Sequence, residues 1–270
     1  MLIIGERING MFKKVGEAIA ARDKKAIRDL ARRELEAGAG MLDVNVGTAA
    51  RDREGAMAWL VETIREETDA PLSIDSSNPE VVEAGLKACA GTRALINSTT
   101  AEDEKLDRLV ALAVEYKAGL LGLTLDEKGI PSTKDQRVLL GAKILFKALE
   151  AGLEPGQVHI DPVVLPAKVA QEGNQTVKML ETIRELKILN DPPPRIVVGL
   201  SNISNGALKE MRPLINRTYL VMALTCGLDE AIADPFDKDL VDAMITAEML
   251  LCKAIYADDF IKAYKASQSG

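Results

Sequence analysis

Eight short apolar runs recur along the chain, each separated from the next by a longer stretch. The runs are rich in branched residues and mostly lack polar alternation, as expected of parallel strands covered on both faces. They read LIIG (2–5), MLDVNV (41–46), LSID (72–75), ALIN (94–97), LLGLTL (120–125), VHID (158–161), IVVGLS (196–201) and YLVMAL (219–224). Eight strand–helix alternations in 270 residues predict an α/β fold, the (β/α)8 TIM barrel.

The stretches between the runs carry helix signals. KKAIRDLARRELEAG (24–38) ends in Gly38, which is typical of the residue just past a helix end. Asn78 followed by Pro79 predicts the cap and first residue of another helix. Since no Pro-, Gly- or Ser-rich linker divides the alternation, we expect one domain over residues 1–270.

Composition excludes several classes of protein. The net charge is −7, and basic residues are interspersed with acids, which argues against nucleic-acid binding. The apolar runs fall short of the roughly 18 residues of a membrane span, and the start lacks signal-peptide features. Cys89, Cys226 and Cys252 are too far apart for a zinc motif and fit a reduced, cytoplasmic protein. We expect Cys226 and Cys252 to be buried, and His159, the one histidine, to be a hydrogen-bonded interior residue.

Polar residues fall repeatedly where the predicted strands end. Asp75 ends the third strand, Asn97 the fourth, Asp161 the sixth, and Asn202 follows the seventh. One such residue alone is more often a helix cap or a turn. Because the carboxyl ends of barrel strands meet at one rim, Asp75, Asn97 and Asp161 are expected to converge there. Four more polar residues lie in or after the first two strands: Glu6, Asn9, Asp43 and Asn45.

Two carboxylates and an amide suit a ligand that presents several N–H donors. The 2-amino-pyrimidinone edge of a pterin has that pattern, and charge-assisted bonds to it would be strong. Paired carboxylates also serve glycoside hydrolysis and Mg²⁺ binding. The aromatic content of 3% offers few sugar-stacking platforms. The pterin is the sharper hypothesis, but spacing alone does not select it.

Seven short motifs at these positions resemble one known family. They are GERING (5–10), LDVNVG (42–47), SIDSSN (73–78), INST (96–99), IDP (160–162), GLSN (199–202) and RPLINRT (212–218). Together, and in this order, they resemble the methyltetrahydrofolate:corrinoid/iron-sulfur protein methyltransferases. These are pterin-binding barrels, related to the folate module of cobalamin-dependent methionine synthase. The resemblance extends from Met1 to about Phe260.

The resemblance implies a role for each matching residue. Asp75, Asn97 and Asp161 match the residues that hold the pterin ring, and Asn202 matches the catalytic amide that reaches towards N5. Four further residues match positions that contact the substrate: Gly199 and Ser201 as the backbone floor, then Asn205 and Arg212.

The same resemblance implies the reaction and its partners. The N5 methyl group of 5-methyltetrahydrofolate would move to the Co(I) centre of a corrinoid/iron-sulfur protein, as in the acetyl-CoA pathway. A donor aimed at N5 would activate this poor leaving group. The corrinoid would belong to the partner, so we expect no permanently bound cofactor and no metal site in this chain, and a homodimer is implied.

Three other functions remain open from the sequence. A stand-alone folate module of a methionine-synthase-like system fits the motifs, although the chain lacks a zinc-type cysteine spacing and an Asp-x-His-x-x-Gly cobalamin motif. Dihydropteroate synthase is expected to have different motifs where GERING and LDVNVG stand. A non-enzymatic folate- or corrinoid-binding barrel would bind but not turn over.

Overall fold

Eight parallel strands close into a barrel in which each strand pairs with its neighbours in chain order and β8 pairs with β1. The computed structural model describes residues 1–47, 50–89, 91–170 and 174–253, together with Ile261 and Lys265. The predicted (β/α)8 barrel is confirmed. The strands are β1 (Leu2–Asn9), β2 (Met41–Asn45), β3 (Leu72–Asp75), β4 (Ala94–Thr99), β5 (Gly119–Leu123), β6 (Val158–Asp161), β7 (Arg195–Gly199) and β8 (Glu230–Ala233).

Helices follow the strands and cover the outside of the barrel. They are α1 (Lys13–Ala20), α2 (Lys24–Glu36), α3 (Arg53–Arg65), α4 (Pro79–Ala88), α5 (Asp103–Glu115), α6 (Lys134–Glu150), α7 (Ala167–Ala170), α8 (Gln175–Leu186), α9 (Arg212–Leu224) and α10 (Lys238–Leu250). Among the helices in the described part of the chain, none combines the length and apolar character needed to cross a membrane. The predicted extent of the domain, residues 1–270, reaches past the described residues and stays a prediction.

The predicted helix boundaries have a local chemical cause. Asn78 caps α4, because its Oδ1 accepts hydrogen bonds from the backbone N–H of Glu80 at 2.8 Å and of Val81 at 3.3 Å. Gly38 lies just past the end of α2 with φ +104°, a conformation that glycine adopts without strain. Both predicted boundaries are confirmed.

The side chains of each strand alternate between the barrel interior and the layer under the helices. A compact interior cluster fills the middle of the barrel and consists of Ile4, Met41, Leu95, Leu121 and Val197. A much larger core packs between strands and helices and includes Ile74, Ile96 and Ile160. In β2 and β4 the next interior positions towards the carboxyl ends are the polar Asp43 and Asn97, which follow Met41 and Leu95. This change from apolar to polar places the candidate site at that end.

The segment 219–224 is not the eighth strand that the apolar run predicted. It is the last part of α9, and its buried residues Tyr219, Leu220, Ala223 and Leu224 follow helical spacing. Leu, Met and Ala favour helix, and Gly227 with φ +105° follows the helix end. The true eighth strand, β8, is only four residues long and begins with the charged Glu230.

The interior histidine is confirmed, and one cysteine prediction is wrong. His159 is buried, and its Nδ1 lies 2.6 Å from Oε2 of Glu230, whose Oε1 accepts a hydrogen bond from Arg195 at 3.1 Å. Cys226 is buried as predicted, whereas Cys252 is exposed. The reason is that α10 ends at Leu250, so Cys252 lies beyond the packed face of that helix.

Candidate active site

A hydrogen-bonded network of acids and amides joins the carboxyl ends of β2, β3 and β4. The buried Asp43 is its centre, because its Oδ1 accepts from the Ser73 hydroxyl at 2.6 Å and from the Asn97 amide at 3.0 Å. The Asn45 amide donates to Oδ2 of Asp75 at 2.7 Å. The register of β3 and β4 places Asp75 beside Asn97. Two of the three residues predicted to converge therefore lie side by side.

Asp43 and Asp75 are neighbouring acids, and burial raises the pKa of both. Burial raises the pKa of Asp43 well above its usual range, and the neighbouring Asp75 raises it further. Burial also raises the pKa of Asp75, while hydrogen bonds from Asn45 and Asp43 lower it. Burial thus favours the protonated form of both acids, and Asp75 accepts the hydrogen bond from Asn45.

Asp161 is held at the end of β6 by two backbone donors. Its Oδ1 accepts from the N–H of Val163 at 2.7 Å, and its Oδ2 accepts from the N–H of Gly199 at 3.3 Å. Burial raises the pKa of Asp161 to about 6, and these two hydrogen bonds oppose that rise. Asp161 is thereby fixed against the end of β7, where the next predicted site residues begin.

Gly199 and Asn202 lie together where β7 ends. The chain turns into a 3-10 segment, Leu200–Ser204, which exposes Asn202 at the rim. A Cβ atom on Gly199 would lie 2.9 Å from Nδ2 of Asn202, closer than side-chain carbons normally approach. The missing side chain at Gly199 is therefore what allows the Asn202 amide to occupy this position.

Ser201 connects β7 to β1 across the rim. Its hydroxyl donates a 3.0 Å hydrogen bond to Oε2 of Glu6. Burial raises the pKa of Glu6 to about 7, although the Ser201 hydrogen bond lowers it. A carboxyl group with this pKa can hold or release a proton near neutral pH.

Asn205 and Arg212 lie apart from these groups. Both are exposed, on the segment that runs from the end of β7 into α9. The Asn205 backbone N–H donates to the carbonyl of Asn202 at 3.1 Å, and Arg212 Nε donates to the carbonyl of Ala207 at 3.1 Å. Their predicted contacts with substrate stay predictions.

Three residues without a role predicted from the sequence lie in the site. Asp43, Asn45 and Glu6 are recognisable in the sequence as polar residues near strand ends, but each alone is ambiguous. An acid inside the apolar run MLDVNV is the signal for Asp43, since buried acids are rare unless paired. The partner of Glu6 is 195 positions away, so no local pattern could have identified that contact.

Comparison with known proteins identifies the family. The sequence profile described as "Pterin binding enzyme" matches residues 6–234. The chain belongs to the pterin-binding enzyme family. The matched range begins at Glu6 and ends at Asp234, so it contains every site residue described above.

Several individual proteins resemble this pterin-binding enzyme. It is 33% identical to the methylcorrinoid:tetrahydrofolate methyltransferase of Eubacterium limosum, over 100% of this chain and 98% of the relative. It is 31% identical to methionine synthase of Mycobacterium tuberculosis, over 86% of this chain but only 20% of that protein. The predicted resemblance to folate–corrinoid methyltransferases is thereby confirmed.

Solved structures confirm the fold of this pterin-binding enzyme. The dihydropteroate synthase of Xanthomonas albilineans in complex with 7,8-dihydropteroate superposes with a TM-score of 0.65, covering 93% of this chain and 92% of that one at 19% identity. Dihydropteroate synthase of Thermus thermophilus gives 0.65 over 94% of each chain at 20% identity.

Proposed function

We propose that this enzyme transfers the N5 methyl group of 5-methyltetrahydrofolate to the Co(I) centre of a corrinoid carried by a separate protein. The observation that carries this proposal is the network at the carboxyl ends of the strands, in which Asp43 and Asn45 hold Asn97 and Asp75 in place. The name of the Eubacterium limosum relative contains the same two reactants. That name gives the corrinoid as donor. Since both directions share one transition state, the same side chains serve either.

The pterin ring would be held by Asp75, Asn97 and Asp161. The carboxyl oxygens of Asp75 can accept hydrogen bonds from N–H groups of the ring, and the Asn97 amide can both donate and accept. Asp161 is already bonded to two backbone N–H groups, so its position is fixed before the ligand enters. Such preorganisation lowers the entropy lost on binding.

Asn202 and Glu6 would act on N5. The cobalt centre supplies the electron pair of the new carbon–cobalt bond, and N5 keeps the electron pair of the bond that breaks and must take a proton. The Asn202 amide can donate a hydrogen bond to N5 as charge changes there. Glu6, whose pKa is about 7, can supply that proton through Ser201, its hydrogen-bond partner. In its protonated form Glu6 donates to the Ser201 oxygen, and the Ser201 hydroxyl turns to pass its own proton to N5.

The corrinoid partner is proposed to be a corrinoid/iron-sulfur protein of the acetyl-CoA pathway. We propose that this chain forms a homodimer and that the reaction takes place in the cytoplasm. Because the cobalt belongs to the partner, the enzyme itself is expected to carry no tightly bound metal. Within the described residues there is no cluster of three His, Cys, Asp or Glu side chains that could hold an ion. Elemental analysis of purified enzyme tests this, and stoichiometric cobalt, iron or zinc would contradict it.

A single-turnover assay tests the activity. Enzyme and 5-methyltetrahydrofolate are mixed anaerobically with Co(I) cobalamin, and methylcobalamin formation is followed by absorbance. We expect methyl transfer that depends on the enzyme, and the reverse reaction from methylcobalamin to tetrahydrofolate. Folate binding with no transfer in either direction, to cobalamin or to a corrinoid protein, would instead favour a non-enzymatic binding barrel. Formation of dihydropteroate from a dihydropterin pyrophosphate and 4-aminobenzoate would favour dihydropteroate synthase.

A further inference from the structure

A basic groove lies on the outside of the barrel beside the carboxyl end of β1. Its cationic side chains are Arg7, Lys13, Lys14 and Arg33, and two aromatic side chains, Phe12 and Phe236, line it with them. The cavity is about 480 Å³ in volume, which is within the range of roughly 300–1,000 Å³ typical of small-molecule sites.

The positive charge of the basic groove is largely uncompensated. Lys13, Lys14 and Arg33 form no ion pair within the described residues, and Arg7 contacts one acid, Asp234, at 3.4 Å. This excess stands out in a chain whose net charge is −7. Several unpaired cations around one cavity create a local positive potential that attracts anions.

Two of the cations are held in position by aromatic rings. The guanidinium carbon of Arg7 lies 4.3 Å from the ring centre of Phe12, and that of Arg33 lies 5.1 Å from the ring centre of Phe236. Cation–π contacts of this kind restrain a guanidinium group while leaving N–H groups at its edge free to donate. The groove therefore presents fixed donors above an apolar floor.

The basic groove adjoins the side of the site that lies opposite Asp75 and Asn97. In a closed barrel of eight strands in sequential order, β4 faces β8 across the mouth. A ligand held by Asp75 and Asn97 at one end would have its other end on the side of β7, β8 and β1. Asp234, directly after β8, connects the two regions, because it contacts Arg7 and its charge raises the pKa of Glu6 at the rim.

We propose that the basic groove binds the carboxylates of the aminobenzoyl-glutamate tail of the folate substrate, and of further γ-linked glutamates attached to it. This inference rests on the proposed function, which places the pterin in the mouth. The apolar floor suits the aminobenzoyl ring and the methylene groups of the tail, and Lys13, Lys14 and the two arginines pair with its carboxylates. An oligoglutamate chain, with one added negative charge per residue, suits a groove in which Lys13, Lys14 and Arg33 form no ion pair within the described residues.

Binding of folates with different tails tests the groove. Isothermal titration calorimetry compares 5-methyltetrahydrofolate carrying one and three glutamates, and a 5-methyl-tetrahydropterin without a tail. We expect the triglutamate to bind the unaltered enzyme roughly five- to tenfold more tightly than the monoglutamate, since each exposed ion pair that the added carboxylates form contributes modestly to affinity. This advantage should shrink as salt increases.

Two double variants distinguish an effect of the groove from an effect of the protein's overall charge. Lys13→Gln/Lys14→Gln should lose most of the triglutamate advantage while binding the tail-less pterin as the unaltered enzyme does. Arg93→Gln/Lys117→Gln removes the same two charges from a separate cavity at the amino ends of the strands, and should keep the advantage.

The outcomes distinguish this inference from the proposed function. Equal affinity for one and three glutamates in the unaltered enzyme, or an advantage that survives Lys13→Gln/Lys14→Gln, would overturn the groove assignment while the pterin site stands. A groove variant that slows transfer to a corrinoid protein but keeps its tail-dependent affinity would assign the surface to that partner instead. No binding of any folate by the unaltered enzyme would overturn the proposed function and this inference with it.

Discussion

The Ser201 hydroxyl donates a 3.0 Å hydrogen bond to the Glu6 carboxyl group and so joins the ends of β7 and β1. These strands are not neighbours, because β8 lies between them. The contact therefore spans part of the barrel mouth. It places an acid with a pKa of about 7 next to the residue that precedes Asn202, where the proposed reaction requires a proton.

Glu6 should make methyl transfer depend on pH. Its carboxyl group is protonated below about pH 7, so the single-turnover rate from 5-methyltetrahydrofolate should fall as pH rises through that value. Glu6→Gln should lower the rate and flatten this limb of the profile. Ser201→Ala removes both the hydroxyl that passes the proton and a hydrogen bond that lowers the pKa of Glu6, so it should lower the rate and move the midpoint of the remaining activity to higher pH. An identical profile in all three proteins would exclude Glu6 as the proton source.

Replacing Asp75, Asn97 or Asp161 should mainly weaken the binding of 5-methyltetrahydrofolate. Replacing any one by Ala leaves polar groups of the ligand unpaired, at a cost of about 1–3 kcal/mol. Affinity for 5-methyltetrahydrofolate, measured by calorimetry, should therefore fall roughly tenfold or more. Asp135→Ala, which alters an exposed acid on α6, is the matched control and should bind normally. Normal binding by all three site variants would place the pterin elsewhere.

Glu34 should make the protein less stable in alkali. It is fully buried, its Oε1 has no hydrogen-bond partner within the described residues, and burial raises its pKa to about 8. Because this pKa is higher in the folded than in the unfolded chain, stability from this group is fully present below pH 4.5 and is lost as pH rises towards about 8.

Removing the charge should reduce this pH dependence. Between those values Glu34 alone lowers the free energy of unfolding by up to about 1.4 kcal/mol per pH unit. Glu34→Gln should remove most of that slope, measured by urea unfolding at several pH values, and Glu17→Gln on the exposed face of α1 should not. A slope unchanged by Glu34→Gln would mean that this carboxyl group already ionises normally.

Much of the barrel could be predicted because its signals are local. Runs such as LSID and VHID are branched and apolar over the few residues that a buried strand needs, and Asn78 and Gly38 mark helix boundaries by their own chemistry. The eighth strand was missed for the opposite reason. β8 contains a buried acid, Glu230, whose compensating partners His159 and Arg195 come from β6 and β7.

The residues of the candidate site also fall into two groups, those with a local sequence signal and those without one. Asp75, Asn97 and Asp161 could be proposed because each lies at or within two residues of a strand's carboxyl end, and the fold brings those ends together. Asp43 could not be recognised as the centre of the network, since its partners Ser73 and Asn97 are 30 and 54 positions away. Distant pairing, rather than residue type, decides which polar residues are in the site.

Replacing Asn202 should lower the rate of methyl transfer more than the affinity for folate. Its amide lies over Gly199 at the rim. A hydrogen bond from this amide to N5 would strengthen as N5 takes up the electron pair of the breaking bond. Loss of one preorganised donor typically lowers a rate by about 10²–10³. Asn202→Ala should therefore lose far more in the single-turnover rate at saturating folate than in equilibrium affinity.

Two further variants make the Asn202 test specific. Asn202→Asp should not restore the rate, because an ionised carboxylate cannot donate a hydrogen bond to N5. Asn205→Ala changes an exposed amide three positions further along the same segment, and should leave the rate at saturating folate unchanged. If Asn202→Ala transferred methyl groups at the unaltered rate, Asn202 would be a turn residue at the end of β7, and N5 would have to receive its hydrogen bond from another donor.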